Sequence, residues 1–101
     1  MHVEFRTVSV SFDRTRGNNQ DQDITFTFTD TVHDFGLAIN GFTVRFNGQE
    51  RPLNSLKVDV LRGFTKTGPT VTGKVRLRMR DINNDDENSG EVDVLCIANV
   101  V

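Results

Sequence analysis

The densest chemistry in the sequence is the run Asp81-Ile82-Asn83-Asn84-Asp85-Asp86-Glu87-Asn88-Ser89-Gly90. Oxygen-bearing side chains recur at every second position, Asp81, Asn83, Asp85 and Glu87, and such a set can converge on a hard cation. Ca2+ suits it, because that ion takes roughly six to eight oxygen ligands in flexible geometry. The opening fits the Asp-x-Asn-x-Asp start of an EF-hand loop, but the sixth position is Asp86 instead of glycine and the twelfth is Val92 instead of glutamate. No helical pattern flanks it, so an EF-hand is rejected. Two readings remain. A solvated acidic hairpin tip is the commoner use of such a loop. A strand-to-strand calcium loop is the alternative, and it needs further ligands from Asp21, Asp23, Asp30 or Asp34.

A second constellation is the basic row Lys74, Arg76, Arg78, Arg80. Alternate positions on a strand lie about 7 Å apart, close to a phosphate repeat, so a polyanion surface is conceivable. Glu91 and Asp93 in the next run would neutralise the row if the two runs paired antiparallel. The chain carries a net charge of −2 and has neither Trp nor Tyr to stack a base. Nucleic acid is therefore not an expected partner. The outward row Thr25, Thr27, Thr29 reads simply as half-polar strand residues.

Nucleophiles and bases are sparse. His33 lies in Asp30-Thr31-Val32-His33-Asp34, where a carboxylate could orient it, and His2 is near the start. Cys96, the single cysteine, falls on an apolar strand face and reads as a small hydrophobe. No nucleophile elbow or Ser-His-Asp order is present. The expectation is a protein that is not an enzyme.

The elements that would position these groups are strands. Val71, Val75, Leu77 and Met79 alternate with Thr72, Lys74, Arg76 and Arg78; Ile24, Phe26 and Phe28 alternate with threonines; Leu56, Val58 and Val60 form a third run. Two segments change phase, between Phe5 and Val8 and between Ile39 and Phe42, and each reads as a β-bulge. At Asn40-Gly41 a tight turn between two short strands competes with the bulge. Asn47-Gly48 signals a hairpin, and Pro52 delays the strand after it. About seven runs at 8–12-residue spacing predict an antiparallel β-sandwich of Greek-key or jelly-roll type.

Length and composition agree with one domain over residues 1–101: 36% hydrophobic and 26% charged residues are globular values. The first residues lack the basic and apolar regions of a secretory signal, and no apolar run nears the about 18 residues of a membrane helix. A soluble chain is expected, with no compartment assigned.

The last run departs from the pattern. Val92, Val94, Cys96, Ala98 and Val100 line one face, while Leu95, Ile97 and Val101 populate the other. A strand apolar on both faces is normally covered on both sides. Either a loop lies across it or Leu95, Ile97 and Val101 form a subunit interface. The resulting expectation is a non-catalytic structural or interaction module that forms a homo-oligomer through its C-terminal strand. The alternative is a calcium-assisted, lectin-like binding module in which the 81–90 loop engages a carbohydrate or protein partner.

Overall fold

Alternating apolar and polar residues give each segment one face to bury, and in the computed structural model the described residues (1–15, 20–46, 53–81 and 88–101) fold into strands and no helix. These are β1 (His2–Thr15), β2 (Gln20–Thr27), β3 (Val32–Phe46), β4 (Leu53–Val60), β5 (Thr65–Thr67), β6 (Thr70–Asp81) and β7 (Asn88–Val100). One sheet has the order β1-β7-β3 and the other β2-β6-β4, with β5 also paired to β6. All pairings are antiparallel. The connections β1–β2, β2–β3, β3–β4 and β6–β7 each pass from one sheet to the other, which leaves β6 and β7 as the central strands. No helix among the described residues is long and apolar enough to cross a membrane.

The core lies between the sheets. Ile24, Phe26, Val71, Val75 and Leu77 come from one side and Val92, Val94, Cys96, Ala98 and Val100 from the other. These are the inward sets that the period-two reading selects. The strands are long: β3 has 15 residues, and at about 3.3 Å per residue such a strand spans about 50 Å. The molecule is accordingly a rod of 50 × 19 × 17 Å. Its radius of gyration is 15.7 Å, against about 13 Å for a compact domain of this length.

The two ends of the rod are fastened differently. At one end Gly68 takes a φ of 55° in the tight turn before Pro69, a conformation in which glycine avoids the Cβ penalty. That turn receives the β2–β3 connection: the Phe28 N–H donates to Pro69 O (2.8 Å) and the Val32 N–H to Gly68 O (2.9 Å). At the other end Asn88 is fully buried, and its Nδ2 donates to Met79 O at 2.8 Å, joining β7 of one sheet to β6 of the other.

Near the start of β6, Gly73 is covered by Phe64 from the β4–β5 connection. A Cβ at Gly73 would sit 2.4 Å from the Phe64 ring, so the ring fills the space that the glycine leaves open.

The phase change in β3 is a bulge, as expected: the register with β7 shifts between Ile39 and Gly41 inside one continuous strand. A further shift falls between Val32 and Asp34. The phase change in β1 is not a bulge. Its register with β7 runs unbroken from His2 opposite Val100 to Phe12 opposite Gly90. Val3 and Phe5 therefore leave the sheet on the side opposite to Val10 and Phe12. Glu4 and Arg6 take the inward positions.

Candidate functional site

The outer faces of the two sheets are chemically unlike. On the outer face of β2-β6-β4, Lys74 meets Asp23 at 2.8 Å, and Arg76 donates to both carboxylate oxygens of Asp21 at 2.7 and 3.0 Å. These contacts lower the Asp21 pKa and raise those of Arg76 and Lys74. Lys57 stands 3.8 Å from Asp59 beside them. Threonines at 25, 27, 70 and 72 pair along the same face. Cross-strand carboxylates engage two members of the basic row, Asp23 at Lys74 and Asp21 with Asp59 at Arg76, in place of the expected Glu91 and Asp93. Glu91 and Asp93 lie in the other sheet, because the β6–β7 connection crosses between sheets and does not close a hairpin ladder.

The outer face of β1-β7-β3 carries an apolar band. Phe5 lies opposite Ile97, which lies opposite Gly36; Thr7, Leu95 and Ala38 form the next row. Phe5 is 60% exposed, Val3 53% and Ile97 40%, and Leu95 is half-buried. Val101 follows β7 with its side chain exposed, and its N–H donates to Thr31 O at 2.9 Å. Polar residues bound the band at both ends. Asn99 donates to Asp34 at 2.6 Å on one side, and Ser9 donates to Asp93 on the other. Leu95 and Ile97 thus share one open surface. Val3 and Phe5 join that surface because β1 changes its buried face without the expected bulge.

The reason for that phase change is local. Inward positions 4 and 6 close the β1–β2 seam with polar groups in place of apolar ones. The Glu4 carboxylate accepts from the Thr29 N–H (3.1 Å), from the Thr29 hydroxyl and from His2 (2.7 Å). Those bonds, those from Thr29 above all, hold its pKa down at about 2. Arg6 Nε donates to Thr27 O at 3.0 Å, and its guanidinium lies 5.2 Å from the Phe28 ring centre, a cation–π contact.

The acidic loop falls largely outside the described residues: Asp81 ends β6, and Asn83, Asp85 and Glu87 are not among them. Of the four carboxylates considered as helpers, Asp34 pairs with Asn99 and Asp30 precedes β3, both at the opposite end of the rod from Asn88. Asp21 and Asp23 are engaged by Arg76 and Lys74. Among the described residues no group of three His, Cys, Asp or Glu side chains could hold a metal.

The remaining reactive groups are dispersed. His33 is exposed where the β3 register shifts, and its carbonyl accepts from Lys66 Nζ. Cys96 is buried, and desolvation pushes its thiol up to about 11, so it stays protonated and inert. Comparison with family models, with curated proteins and with solved structures finds no match to this chain.

Proposed function

We propose that this chain is a non-catalytic assembly module that associates with copies of itself through the outer face of its β1-β7-β3 sheet. The observation that carries the reading is the apolar band of Val3, Phe5, Leu95 and Ile97 on a face that water would otherwise cover. The companion sheet shows how this protein builds a solvated face, with ion pairs and threonines. An apolar centre with a polar rim is the anatomy of an interface. The centre carries no charge, so two copies can meet there without repulsion, as a two-fold contact requires. The rod shape supports the same reading, since it presents long faces to a second copy.

The test is the mass in solution of the parent chain and of Phe5→Asp and Ile97→Asp variants, measured by light scattering over a range of concentrations. The parent should run as a multiple of 11.4 kDa, and each variant should lose mass at equal concentration. The same masses in EDTA and in millimolar calcium are expected. A parent that remains a monomer at high concentration would overturn the reading, and a mass that depends on calcium would favour the lectin-like alternative.

A further inference from the structure

The two seams between the sheets are unequal. Arg6 ties β1 to Thr27 of β2 and Glu4 ties it to Thr29 just beyond, whereas β3 and β4 make far less contact with each other. At the β3–β4 seam three residues on core-facing positions stay exposed: Ile39 (38%) and Phe42 (50%) on β3, and Leu56 (37%) on β4. β3 is also an edge of its sheet. From Asp34 to Arg45 its backbone makes hydrogen bonds to β7 and, among the described residues, to no other backbone. Edge strands are usually guarded by charges or proline. Between Asp34 and Arg45 this one has neither.

We propose that β3 pairs antiparallel with β3 of a second copy about a two-fold axis passing between Ile39 and Asn40, joining two β1-β7-β3 sheets into one. This register sets Asp34 opposite Arg45 at both ends of the contact. The same offset sets Phe35 opposite Val44 and Leu37 opposite Phe42 on the inner face. On the outer face it sets Gly36 opposite Thr43 and Ala38 opposite Gly41. Directly opposed residues must point the same way, so a regular strand can pair with itself only about a residue, never about a point between two. The one-residue shift at Asn40 removes that restriction and keeps each of these named pairs on its own face. The bulge that protects many edges here makes the edge self-complementary.

The second copy is the occupant because the charges fit it. Arg45 is exposed and has no partner among the described residues. Asp34 accepts a single hydrogen bond, from Asn99, which leaves carboxylate capacity for a guanidinium. The inner-face pairs give Phe42 a covering that one chain does not supply. This contact uses the edge and not the outer face, so it stands or falls apart from the face contact proposed above.

Sedimentation equilibrium separates the two. With the face blocked by Phe5→Asp, the protein should be a dimer of about twice 11.4 kDa. Adding Arg45→Asp should give a monomer, and adding Asp34→Arg to that variant should restore the dimer. A Phe5→Asp protein that is already a monomer, or a dimer untouched by Arg45→Asp, would overturn the edge pairing. A second measurement needs no charge reversal. The Gly36→Cys/Thr43→Cys variant should form a covalent dimer on mild oxidation, and a chain that stays single would exclude this register.

Discussion

Phe5 and Ile97 stand directly opposite each other in the β1–β7 ladder, on the side of the sheet turned away from the core. On the same strand as Ile97, Val94 and Cys96 face the core and are fully buried. One strand therefore offers both kinds of position within a few residues, and substitution should separate them. Phe5→Asp should change the unfolding free energy of the single chain by no more than about 1 kcal/mol, the scale of one cross-strand pair. Val94→Ala should cost about 2 kcal/mol through lost burial and a residual cavity. Urea unfolding at a concentration low enough to suppress association checks both. A large loss in Phe5→Asp at that concentration would mean that the ring supports the fold itself.

Glu4 gives the chain a defined acid response. Its folded pKa is about 2, below the ordinary value of 4.5, because Thr29 and His2 donate to its carboxylate. A lowered folded pKa contributes stability above the unfolded value, and that contribution fades as pH falls from about 4.5 towards about 2. Glu4→Gln should remove this dependence. Unfolding midpoints of parent and variant, compared from pH 6 to pH 2, should differ most at the upper end and converge at the lower. Parallel curves would show that the Thr29 bonds do not favour the ionised form.

Gly73 and Phe64 behave as one unit. A methyl group at 73 would occupy the ring's position, so Gly73→Ala must displace Phe64 from the core edge. The expected cost is about 1–3 kcal/mol, the usual range for overpacking. In a Phe64→Ala background the same substitution should cost far less, since the obstacle is gone. A double-mutant cycle measures the coupling. Additive losses would show that the ring does not rest on the glycine.

Much of this architecture was legible because burial imposes a period of two. Val71, Val75, Leu77 and Met79 announce their face, and all four are buried. The doubly apolar β7 was equally plain, since Leu95 and Ile97 have no reason to alternate with Val94 and Cys96 unless both faces are used. Sheet membership was not legible. Adjacent runs suggest a hairpin, yet β6 and β7 lie in different sheets, so the carboxylates that meet Lys74 and Arg76 are Asp23 and Asp21, from a distant part of the chain. The β1 phase change was ambiguous for a definite reason: a bulge and a change of buried face shift the apolar residues identically. The polar pair Glu4 and Arg6 at the inward positions was the distinguishing signal, and its meaning depends on Thr29, which only the fold brings near.

Asn88 offers a sharper test of how the sheets are held together. It is fully buried at the start of β7, opposite Thr15 of β1 and Phe46 of β3, and its Nδ2 reaches Met79 O in the other sheet at 2.8 Å. Asn88→Ala deletes the donor and leaves a buried carbonyl without that bond, at a cost of about 1–3 kcal/mol. For a domain of this size that corresponds to a drop in Tm of at least about 4 °C. Asn88→Asp is the more telling change, because it keeps the shape but turns a donor into a carboxylate oxygen facing a carbonyl oxygen. Ionisation is disfavoured there, so the folded pKa rises above the unfolded value of about 3.9. A raised folded pKa gives stability below the unfolded value that is lost as pH rises through the folded one. Asn88→Asp should therefore be much weaker than Asn88→Ala at pH 7 and should close that gap near pH 4, where the protonated carboxyl can donate to Met79 O. Equal losses at both pH values would show that the Met79 bond contributes little and that Asn88 holds the sheets by packing alone.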